Sequence, residues 1–235
     1  MTTLTTAPRR IEYPTRDGRP MAETDRHREI AFYIIQALKT YFSDRQDVYV
    51  AGNNFVFWEE GNLKARISPD AYVVFGSTPQ LRDSFMAWKE GGRLPSVIFE
   101  FTSRKTQRED MDTKLPLYEQ VLKTPEYFLF DPTGDYLKPR LQGYRLTGGQ
   151  YVRLKLVNDR LHSEQLGLDL VQQGELLRLY DPRKAAFLPT TFELSQQVMA
   201  EARRAEAEAR RATEAEAEVE RLRAEIARLR AGGTS

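Results

Sequence analysis

Residues 97–102 read VIFEFT and residues 126–132 read EYFLFDP, and these two apolar stretches decide the fold. Both are rich in β-branched and aromatic residues and are short enough to be buried strands. Between them, apolar residues recur at helical spacing over residues 107–122. The sequence therefore predicts a strand–helix–strand unit over residues 97–131, which favours two parallel strands joined by a right-handed crossover.

The segments that precede this unit predict a long helix followed by antiparallel strands. Apolar residues recur at helical spacing over residues 24–43, with Thr24 or Asp25 available as the N-cap. Residues 76–95 contain several glycines and prolines and are expected to form a loop with a short helix. Strands are predicted for VYVA (48–51) and NFVFW (54–58). A turn at EEGN (59–62) then leads to a returning strand at ARI (65–67).

The segments that follow the strand–helix–strand unit are shorter and alternate between apolar and polar side chains. They occupy residues 141–180, and Gly148-Gly149 is typical of a hairpin turn. We expect these segments to extend the same sheet with antiparallel strands. The sequence therefore predicts an α/β fold with a mixed central sheet flanked by helices.

The C-terminal part differs in composition from the rest of the chain. From Glu193 to Ala231 it contains no glycine or proline and is dominated by Ala, Glu and Arg, which predicts one long helix. Two interpretations of this helix remain open: a coiled coil that joins two copies as a homodimer, or a helix that is solvated or docked on other surfaces. The final part has the a/d pattern of a coiled coil at Val219, Leu222, Ile226 and Leu229, and the same register falls earlier on the weaker residues Ala215, Ala212, Glu208 and Ala205.

Composition excludes several classes of protein. The 235 residues carry a net charge of +1, so no overall field gathers nucleic acid, membrane lipid or an acidic substrate. Cysteine is absent, which excludes disulfides, thiolate metal sites and a cysteine nucleophile, and two histidines are too few for a histidine-built zinc site. No stretch has the roughly 20 apolar residues that span a bilayer, and the N-terminus lacks the features of a signal peptide. We therefore expect a cytoplasmic protein with no membrane partner.

Two carboxylates interrupt segments that are otherwise apolar. Asp70 follows Ser68-Pro69 and precedes the run AYVVF, and Glu100 lies within the strand-like run at 97–101. An ionised carboxylate in such surroundings needs a cation or several hydrogen-bond donors to offset its desolvation. Taken singly, Asp70 is typical of a turn, and Glu100 is typical of an acid paired with an arginine. Taken together on neighbouring strands, they predict a metal site.

The helix predicted after Glu100 carries polar residues on one face. Asp110, Lys114 and Tyr118 follow one another at spacings of four. If this helix packs across the strand ends, Lys114 lies over the metal and holds the attacking water or a phosphate oxygen. Lys105 is a second candidate for this role and is nearer in sequence. The alternative is an ordinary helix pair between Asp110 and Lys114.

The order of these motifs resembles a known family over residues 20 to about 190. That family is the Uma-type family of restriction endonucleases, which is greatly expanded in cyanobacteria and has a PD-(D/E)XK nuclease fold. MAETD at residues 21–25 and YVAGN at residues 49–53 are similar to it as well. The motifs that carry the resemblance are Pro69-Asp70, Glu100-Phe101-Thr102-Ser103, the helix residues Thr106, Asp110, Lys114 and Tyr118, and the run EYFLFDP.

The resemblance implies a restriction-endonuclease-like domain that hydrolyses DNA phosphodiester bonds with Mg²⁺ or Mn²⁺. By resemblance, Asp70 and Glu100 would hold the metal together with the carbonyl oxygen of Phe101. Glu23 resembles the acid that the wider superfamily contributes from its first helix. Carboxylate and carbonyl oxygens suit hard divalent cations, which lower the pKa of water and shield the developing charge on the phosphodiester.

The resemblance departs from the superfamily pattern at one position. Many metal-dependent nucleases carry a lysine two residues after the glutamate, and this chain has Thr102 there. The resemblance therefore implies that Lys114 is a relocated catalytic lysine.

The expected organisation is an irregular arm at 1–20, a restriction-endonuclease-like domain at 21–192 and a C-terminal helix at 193–235. DNA is the expected partner. A rival interpretation is a catalytically inactive module of nuclease fold that binds DNA or proteins and oligomerises through its C-terminal helix. The residue that favours this rival is Thr102, because it occupies the position of the superfamily lysine.

Overall fold

The computed structural model describes residues 12–15, 25–103 and 106–232, with side chains described up to residue 228. The chain divides into two compact units, Met1–Leu188 and Pro189–Ser235. Among the helices of these described ranges, none combines the length and the apolar character that crossing a bilayer requires.

The first unit contains one long helix, α1 (Asp25–Tyr41), and a series of short strands. The helix is close to the predicted range of 24–43. The strands in chain order are β1 (Val48–Ala51), β2 (Phe55–Phe57), β3 (Arg66–Ile67), β4 (Ala71–Phe75), β5 (Ser84–Met86), β6 (Val97–Phe101), β7 (Glu126–Phe130), β8 (Leu141–Thr147), β9 (Gln150–Arg153), β10 (Arg160–Ser163), β11 (Leu168–Gln173), β12 (Leu176–Asp181) and β13 (Ala186–Phe187).

A mixed six-stranded sheet forms the centre of this unit, in the order β1-β4-β6-β7-β8-β9. The strands β6 and β7 are parallel, and every other neighbouring pair in the sheet is antiparallel. The strand–helix–strand prediction for residues 97–131 is therefore confirmed. The predicted hairpin at Gly148-Gly149 is confirmed as well, since both glycines have positive φ in a two-residue turn between β8 and β9.

The central sheet is covered on both faces, which explains why β4, β6 and β7 are almost continuously apolar. On one face, α1 packs through Ile30, Ile34 and Leu38. On the other face, the aromatic side chains of Tyr118 and Tyr127 meet at a ring-centroid distance of 5.0 Å. These two covered faces confirm the predicted α/β architecture.

A helical segment at residues 107–121 connects β6 to β7, and we call it the crossover helix. It contains two π-helical stretches, Glu109–Lys114 and Leu117–Val121. Pro116, which has no N–H to donate, lies between them. Single π-helical turns inside helices often accompany functional sites.

Two smaller sheets complete the first unit, and they differ from the prediction. The loop predicted for residues 76–95 contains β5 as well as a short 3₁₀-helix, Ala87–Glu90. The strand β5 pairs in parallel with β2, which also pairs with β3.

The prediction that residues 141–180 extend one sheet is wrong in its second half. The strands β10 to β13 form a separate antiparallel sheet of four strands. Its alternating leucines, such as Leu161, Leu170 and Leu179, bury one face in the same core as α1. Alternation predicts that a strand has one buried face, but it does not predict which sheet the strand joins.

The second unit is the helix α2, Thr191–Gly232, which confirms the long helix predicted for residues 193–231. Thr190 caps its start, because the Thr190 hydroxyl accepts a hydrogen bond from the Glu193 N–H and the Glu193 carboxylate accepts one from the Thr190 N–H. This reciprocal arrangement is a capping box.

Candidate active site

Asp70 lies where β4 begins, next to the end of β6. The antiparallel register pairs Ala71 of β4 with Phe99 of β6, so Asp70 lies opposite Glu100. Side chains of directly opposed residues in an antiparallel pair point to the same face. The N–H of Phe101 donates a 2.7 Å hydrogen bond to Oδ2 of Asp70. The structure therefore brings together Asp70, Glu100 and Phe101, as the sequence predicted for neighbouring strands.

His27 reaches Asp70 from the first turn of α1. Its Nε2 lies 3.1 Å from Oδ1 of Asp70, and the side chains are only 9% and 13% exposed. The ring of His27 also meets the ring of Phe101 edge to face, with centroids 5.7 Å apart. Asp70 is thus held by the helix on one side and by the end of β6 on the other. Sequence reasoning missed His27, because a histidine in the first turn of a helix is usually only a polar surface residue.

Glu100 is almost fully buried and is held by two side chains of the crossover helix. Lys114 Nζ donates a 2.8 Å hydrogen bond to Oε2, and the Tyr118 hydroxyl donates a 2.6 Å hydrogen bond to Oε1. The side chain of Glu100 is 1% exposed and that of Lys114 is 9% exposed. Lys114 and Tyr118 thus lie on one face of the crossover helix, as their spacing predicts, and this face meets the end of β6.

Asp110 lies one turn before Lys114 and shares its ammonium. Lys114 Nζ is 3.0 Å from Oδ1 of Asp110, so the ordinary helix pair that the sequence left open is present as well. The two interpretations of Lys114 are therefore compatible, because a single ammonium bridges the helix acid and the strand acid. This arrangement fixes Lys114 between Glu100 and Asp110.

Burial and the neighbouring charges shift the pKa values of Glu100 and Lys114. Burial raises the pKa of Glu100, and the carboxylates of Asp70 and Asp110 raise it further, so it lies well above its ordinary value despite the opposing effect of Lys114. Burial lowers the pKa of Lys114, but the three carboxylates outweigh burial and raise it above its ordinary value. The ammonium therefore stays charged.

Asp70 responds in the opposite direction to Glu100. Burial raises its pKa, but the hydrogen bond and charge of His27, the charge of Lys114 and the N–H of Phe101 together bring the pKa below its ordinary value. Within one site, the two carboxylates thus have pKa values pushed apart, an arrangement that is common where acids do chemistry.

Thr102 occupies the position that holds a lysine in many nucleases. It is buried, its N–H donates a 2.8 Å hydrogen bond to the carbonyl of Phe130, and its hydroxyl has no hydrogen-bond partner among the residues that the structure describes. No ammonium can come from this position. Among the described residues, Lys114 supplies the cation next to Glu100.

A turn between β1 and β2 locks the backbone of Asp70. The N–H of Asn53 donates a 2.8 Å hydrogen bond to the carbonyl of Pro69. Gly52 lies so close that a Cβ atom built on it would be 2.0 Å from the carbonyl oxygen of Asp70. Only glycine allows this approach. Sequence reasoning missed Gly52 as a site residue, since a glycine after a strand normally predicts only a turn.

The donor atoms of this site fit a hard divalent cation. Asp70 and Glu100 offer carboxylate oxygens and Phe101 offers a carbonyl oxygen, which are the ligand types that Mg²⁺ and Mn²⁺ prefer. Within the described ranges, no group of three or more His, Asp or Glu side chains is arranged to hold a metal ion. The third acid expected from the sequence, Glu23, lies outside the described residues.

Basic residues near the site are largely committed to other partners. Arg26 lies 2.8 Å from Glu175, and Arg28 is paired with Asp25. Arg108 is exposed on the crossover helix. Lys105, the second candidate for the role of Lys114, lies outside the described residues, as does Arg104.

Comparison with known proteins gives a family match over most of the chain. The Uma2 family, with the description "Putative restriction endonuclease", matches residues 2–176. The chain is also similar to a solved structure described as a "putative nuclease belonging to DUF820" from Anabaena variabilis ATCC 29413. That similarity has 12% sequence identity and a TM-score of 0.45, and it covers 63% of this chain and 76% of that chain. No curated protein matches the chain.

Proposed function

The chain belongs to the Uma2 family, and from this premise we propose that it hydrolyses DNA phosphodiester bonds with the help of Mg²⁺ or Mn²⁺. The observation that carries the proposal is the buried contact between Glu100 and Lys114 beside Asp70. An acid pair on adjacent strands can hold a divalent cation, and a cationic side chain beside it can stabilise charge on the phosphate.

Asp70 and Glu100 would hold the divalent cation, together with the carbonyl oxygen of Phe101. When bound, the cation would lower the pKa of a water molecule and shield the charge that develops on the phosphate. Each carboxylate oxygen accepts more than one bond, so the contacts of Asp70 to His27 and of Glu100 to Tyr118 are compatible with this role. Glu23 remains part of the proposal as a further ligand from the N-terminal side of α1.

Lys114 would act on the reacting groups themselves. Its ammonium is kept charged by three carboxylates, and it is carried on a helix that is packed against the sheet. A fixed charge of this kind can hold a phosphate oxygen or the attacking water without reorganising during the reaction. Lys114 therefore takes the part that Thr102 cannot play.

The remaining residues of the site would orient these groups. His27 holds Asp70, Tyr118 holds Glu100, and the close approach of Gly52 fixes the backbone of Asp70. Arg108, which is exposed on the crossover helix, would meet a phosphate of the DNA backbone. Cleavage of both strands of a duplex requires two such sites, which a homodimer would provide.

A plasmid-cleavage assay with Mg²⁺ or Mn²⁺ tests this proposal. Wild-type protein is compared with Asp70→Ala and Glu100→Ala, and with Asp112→Ala as a matched control, because Asp112 is an exposed acid on the crossover helix. We expect nicking and linearisation by the wild type and the control, and a loss on the order of 100-fold or more in the two site variants. Equal cleavage by all four proteins would contradict the site assignment.

The rival function is tested by the same samples. A wild-type protein that binds duplex DNA but cleaves none with either metal would be the inactive module that Thr102 favours. Gel-shift measurements on the proteins used for cleavage therefore distinguish a nuclease from a DNA-binding module.

A further inference from the structure

We infer that the C-terminal part of α2 is the surface through which two copies of this chain join, as a parallel and in-register two-stranded coiled coil. The inference does not depend on nuclease activity. It rests on an apolar stripe that the unit leaves open to solvent and on the charges that flank this stripe.

The apolar stripe lies at the a and d positions of a heptad pattern. Val219, Leu222 and Ile226 are 47%, 45% and 49% exposed, although each is large and apolar. Leu229 continues the sequence pattern by three residues. A β-branched residue at each a position and leucine at each d position is the combination that favours two parallel strands. The stripe therefore fits a second copy of itself.

The flanking charges identify the orientation. With Val219 and Ile226 at a, the g positions are Glu218 and Glu225, and the e positions that follow are Arg223 and Arg230. In a parallel in-register pair, each g residue meets the e residue of the next heptad in the other helix. Glu218 then meets Arg223 of the second copy, and Glu225 meets Arg230. Both contacts join opposite charges.

One heptad earlier the same rule holds with the signs reversed. Arg211 at g would meet Glu216 at e. The a and d positions of this heptad are Ala212 and Ala215, which allow close approach but bury little apolar surface. The charge pattern thus continues where the apolar pattern is weak.

An antiparallel pair would be opposed by these charges. In that orientation g residues meet g residues and e residues meet e residues. When the apolar stripe is aligned with itself, the glutamates at 218 and 225 face each other, and so do the arginines at 223 and 230, which is unfavourable. A shift that brings Arg211 to Glu225 would instead set Ile226 and Leu229 against Ala215 and Ala212, which bury little apolar surface. The charges and the apolar stripe together therefore select the parallel orientation.

The ion pairs within a single helix do not compete strongly with this arrangement. Arg221 lies 2.6 Å from Glu218, and Arg223 lies 2.9 Å from Glu220, with all four side chains at least half exposed. Exposed pairs of this kind contribute little. Glu218 and Arg223 can therefore exchange these partners for partners in a second copy.

Sedimentation of the full chain with paired charge reversals tests the inference. The first variant carries Glu218→Arg and Glu225→Arg, and the second carries Arg223→Glu and Arg230→Glu. We expect the wild type to form a concentration-dependent dimer and each variant to dissociate, with a dissociation constant weaker by on the order of 100-fold. An equimolar mixture of the two variants should recover the dimer, since its g and e charges are complementary again.

Matched controls carry the same changes of charge outside the interface. They are Glu214→Arg with Glu220→Arg, and Arg221→Glu with Arg228→Glu, all at b or c positions. Both should sediment as the wild type does. A wild type that is monomeric at about 100 μM, or charge variants that stay as dimeric as their controls, would overturn the inference.

A cysteine cross-link tests the orientation separately. The chain has no cysteine, so Gly233→Cys introduces a single thiol near the end of α2. In the parallel dimer the two thiols are adjacent and oxidise to a disulfide. In an antiparallel pair that aligns the apolar stripe with itself, residue 233 lies level with residue 215 of the other helix, so the two thiols are about 27 Å apart at about 1.5 Å per residue. Failure to cross-link in a protein that sediments as a dimer would overturn the parallel orientation.

Discussion

Lys114 lies 2.8 Å from Oε2 of Glu100, and this contact joins the crossover helix to the end of β6 inside the core. Removing one partner of a buried ion pair leaves the other without compensation. We expect Lys114→Met to lower the free energy of unfolding by about 3 kcal/mol in metal-free buffer, and to lower cleavage by on the order of 100-fold. Urea unfolding and plasmid cleavage measure the two effects.

The matched control for this variant is Lys89→Met, because Lys89 is exposed. It should change neither quantity. Divalent metal should also restore part of the stability lost in Lys114→Met, since it would neutralise the same carboxylates. A stability loss without any loss of cleavage would assign Lys114 a purely structural role.

His27 is expected to act by positioning Asp70 rather than by touching DNA. Partners of metal ligands typically change metal affinity or activity by about 10- to 100-fold. We therefore expect His27→Ala to raise the Mg²⁺ concentration for half-maximal cleavage by about 10-fold or more, with the KM for DNA unchanged. His27→Gln keeps a side-chain donor and should recover part of the loss. Unchanged metal dependence in both variants would remove His27 from the site.

Gly52 is expected to be intolerant of even a single methyl group. A Cβ atom there would be 2.0 Å from the carbonyl oxygen of Asp70, and backbone must shift to relieve this contact. We expect Gly52→Ala to cost about 1–3 kcal/mol of stability, and to reduce cleavage strongly because Asp70 moves.

Gly174→Ala provides the comparison for Gly52→Ala. Gly174 has a φ of +61°, with nothing within 4 Å of an added Cβ atom. The change there costs backbone strain of about 1–2 kcal/mol, so it lowers stability while leaving cleavage unaffected. Equal cleavage by both variants would show that the turn at Gly52 does not position Asp70.

Cleavage should increase with pH through the raised pKa of Glu100. Glu100 must be ionised to bind a cation, and its pKa is raised by burial and by the carboxylates of Asp70 and Asp110. Metal binding and cleavage are therefore weak below the raised pKa and increase as the pH passes through it. Cleavage rates measured as a function of pH should follow this profile.

Asp110→Asn tests whether the pKa of Glu100 controls this dependence of cleavage on pH. The substitution removes a carboxylate that raises the pKa of Glu100, and it leaves Lys114 to pair with Glu100 alone. The profile should therefore shift to lower pH. A shift in the opposite direction would show that a different group controls the pH dependence.

Asp131 is expected to stabilise the fold without taking part in catalysis. Its two carboxylate oxygens accept five hydrogen bonds from the loop that follows β7, and no side-chain surface is left exposed. Burial raises its pKa, but these donors outweigh burial and lower it below the ordinary value. We expect Asp131→Ala to lower the free energy of unfolding by about 2–3 kcal/mol, as measured with urea.

The lowered pKa of Asp131 determines how its contribution to stability changes with pH. The stabilisation by Asp131 is fully present above the pKa of the unfolded state, about 3.9. It is lost as the pH falls through the lower pKa of the folded state. Wild type and Asp131→Ala should therefore converge in stability only in strong acid. Convergence near neutral pH would contradict the assigned role.

Much of the candidate site could be predicted from local pattern. Asp70 and Glu100 are conspicuous because they interrupt apolar strands, and the spacing of four residues places Lys114 and Tyr118 on one helix face. The strand–helix–strand order then brings that face to the strand end. Local pattern suffices for Glu100, Lys114 and Tyr118 because one crossover connects the strand that carries Glu100 to the helix that carries the other two.

The contacts made by His27 and Gly52 could not be predicted in the same way. The contact of His27 with Asp70 depends on how α1 crosses the sheet. The contact of Gly52 depends on a turn that meets the Asp70 backbone, 18 residues later in the chain. The separate sheet of β10 to β13 could not be predicted either, since the alternation of its leucines is the same for any sheet with one buried face. In each case the deciding contact is tertiary.

The pairing of Glu100 with Lys114 means that this chain supplies its own counterion. Asp70 and Glu100 would therefore face a divalent cation with part of their charge already compensated. Because Asp110 holds the same ammonium, Lys114 would keep its place beside the phosphate while Glu100 helps to hold the metal. The metal and the lysine would then share one glutamate, so a change in either partner would alter the other.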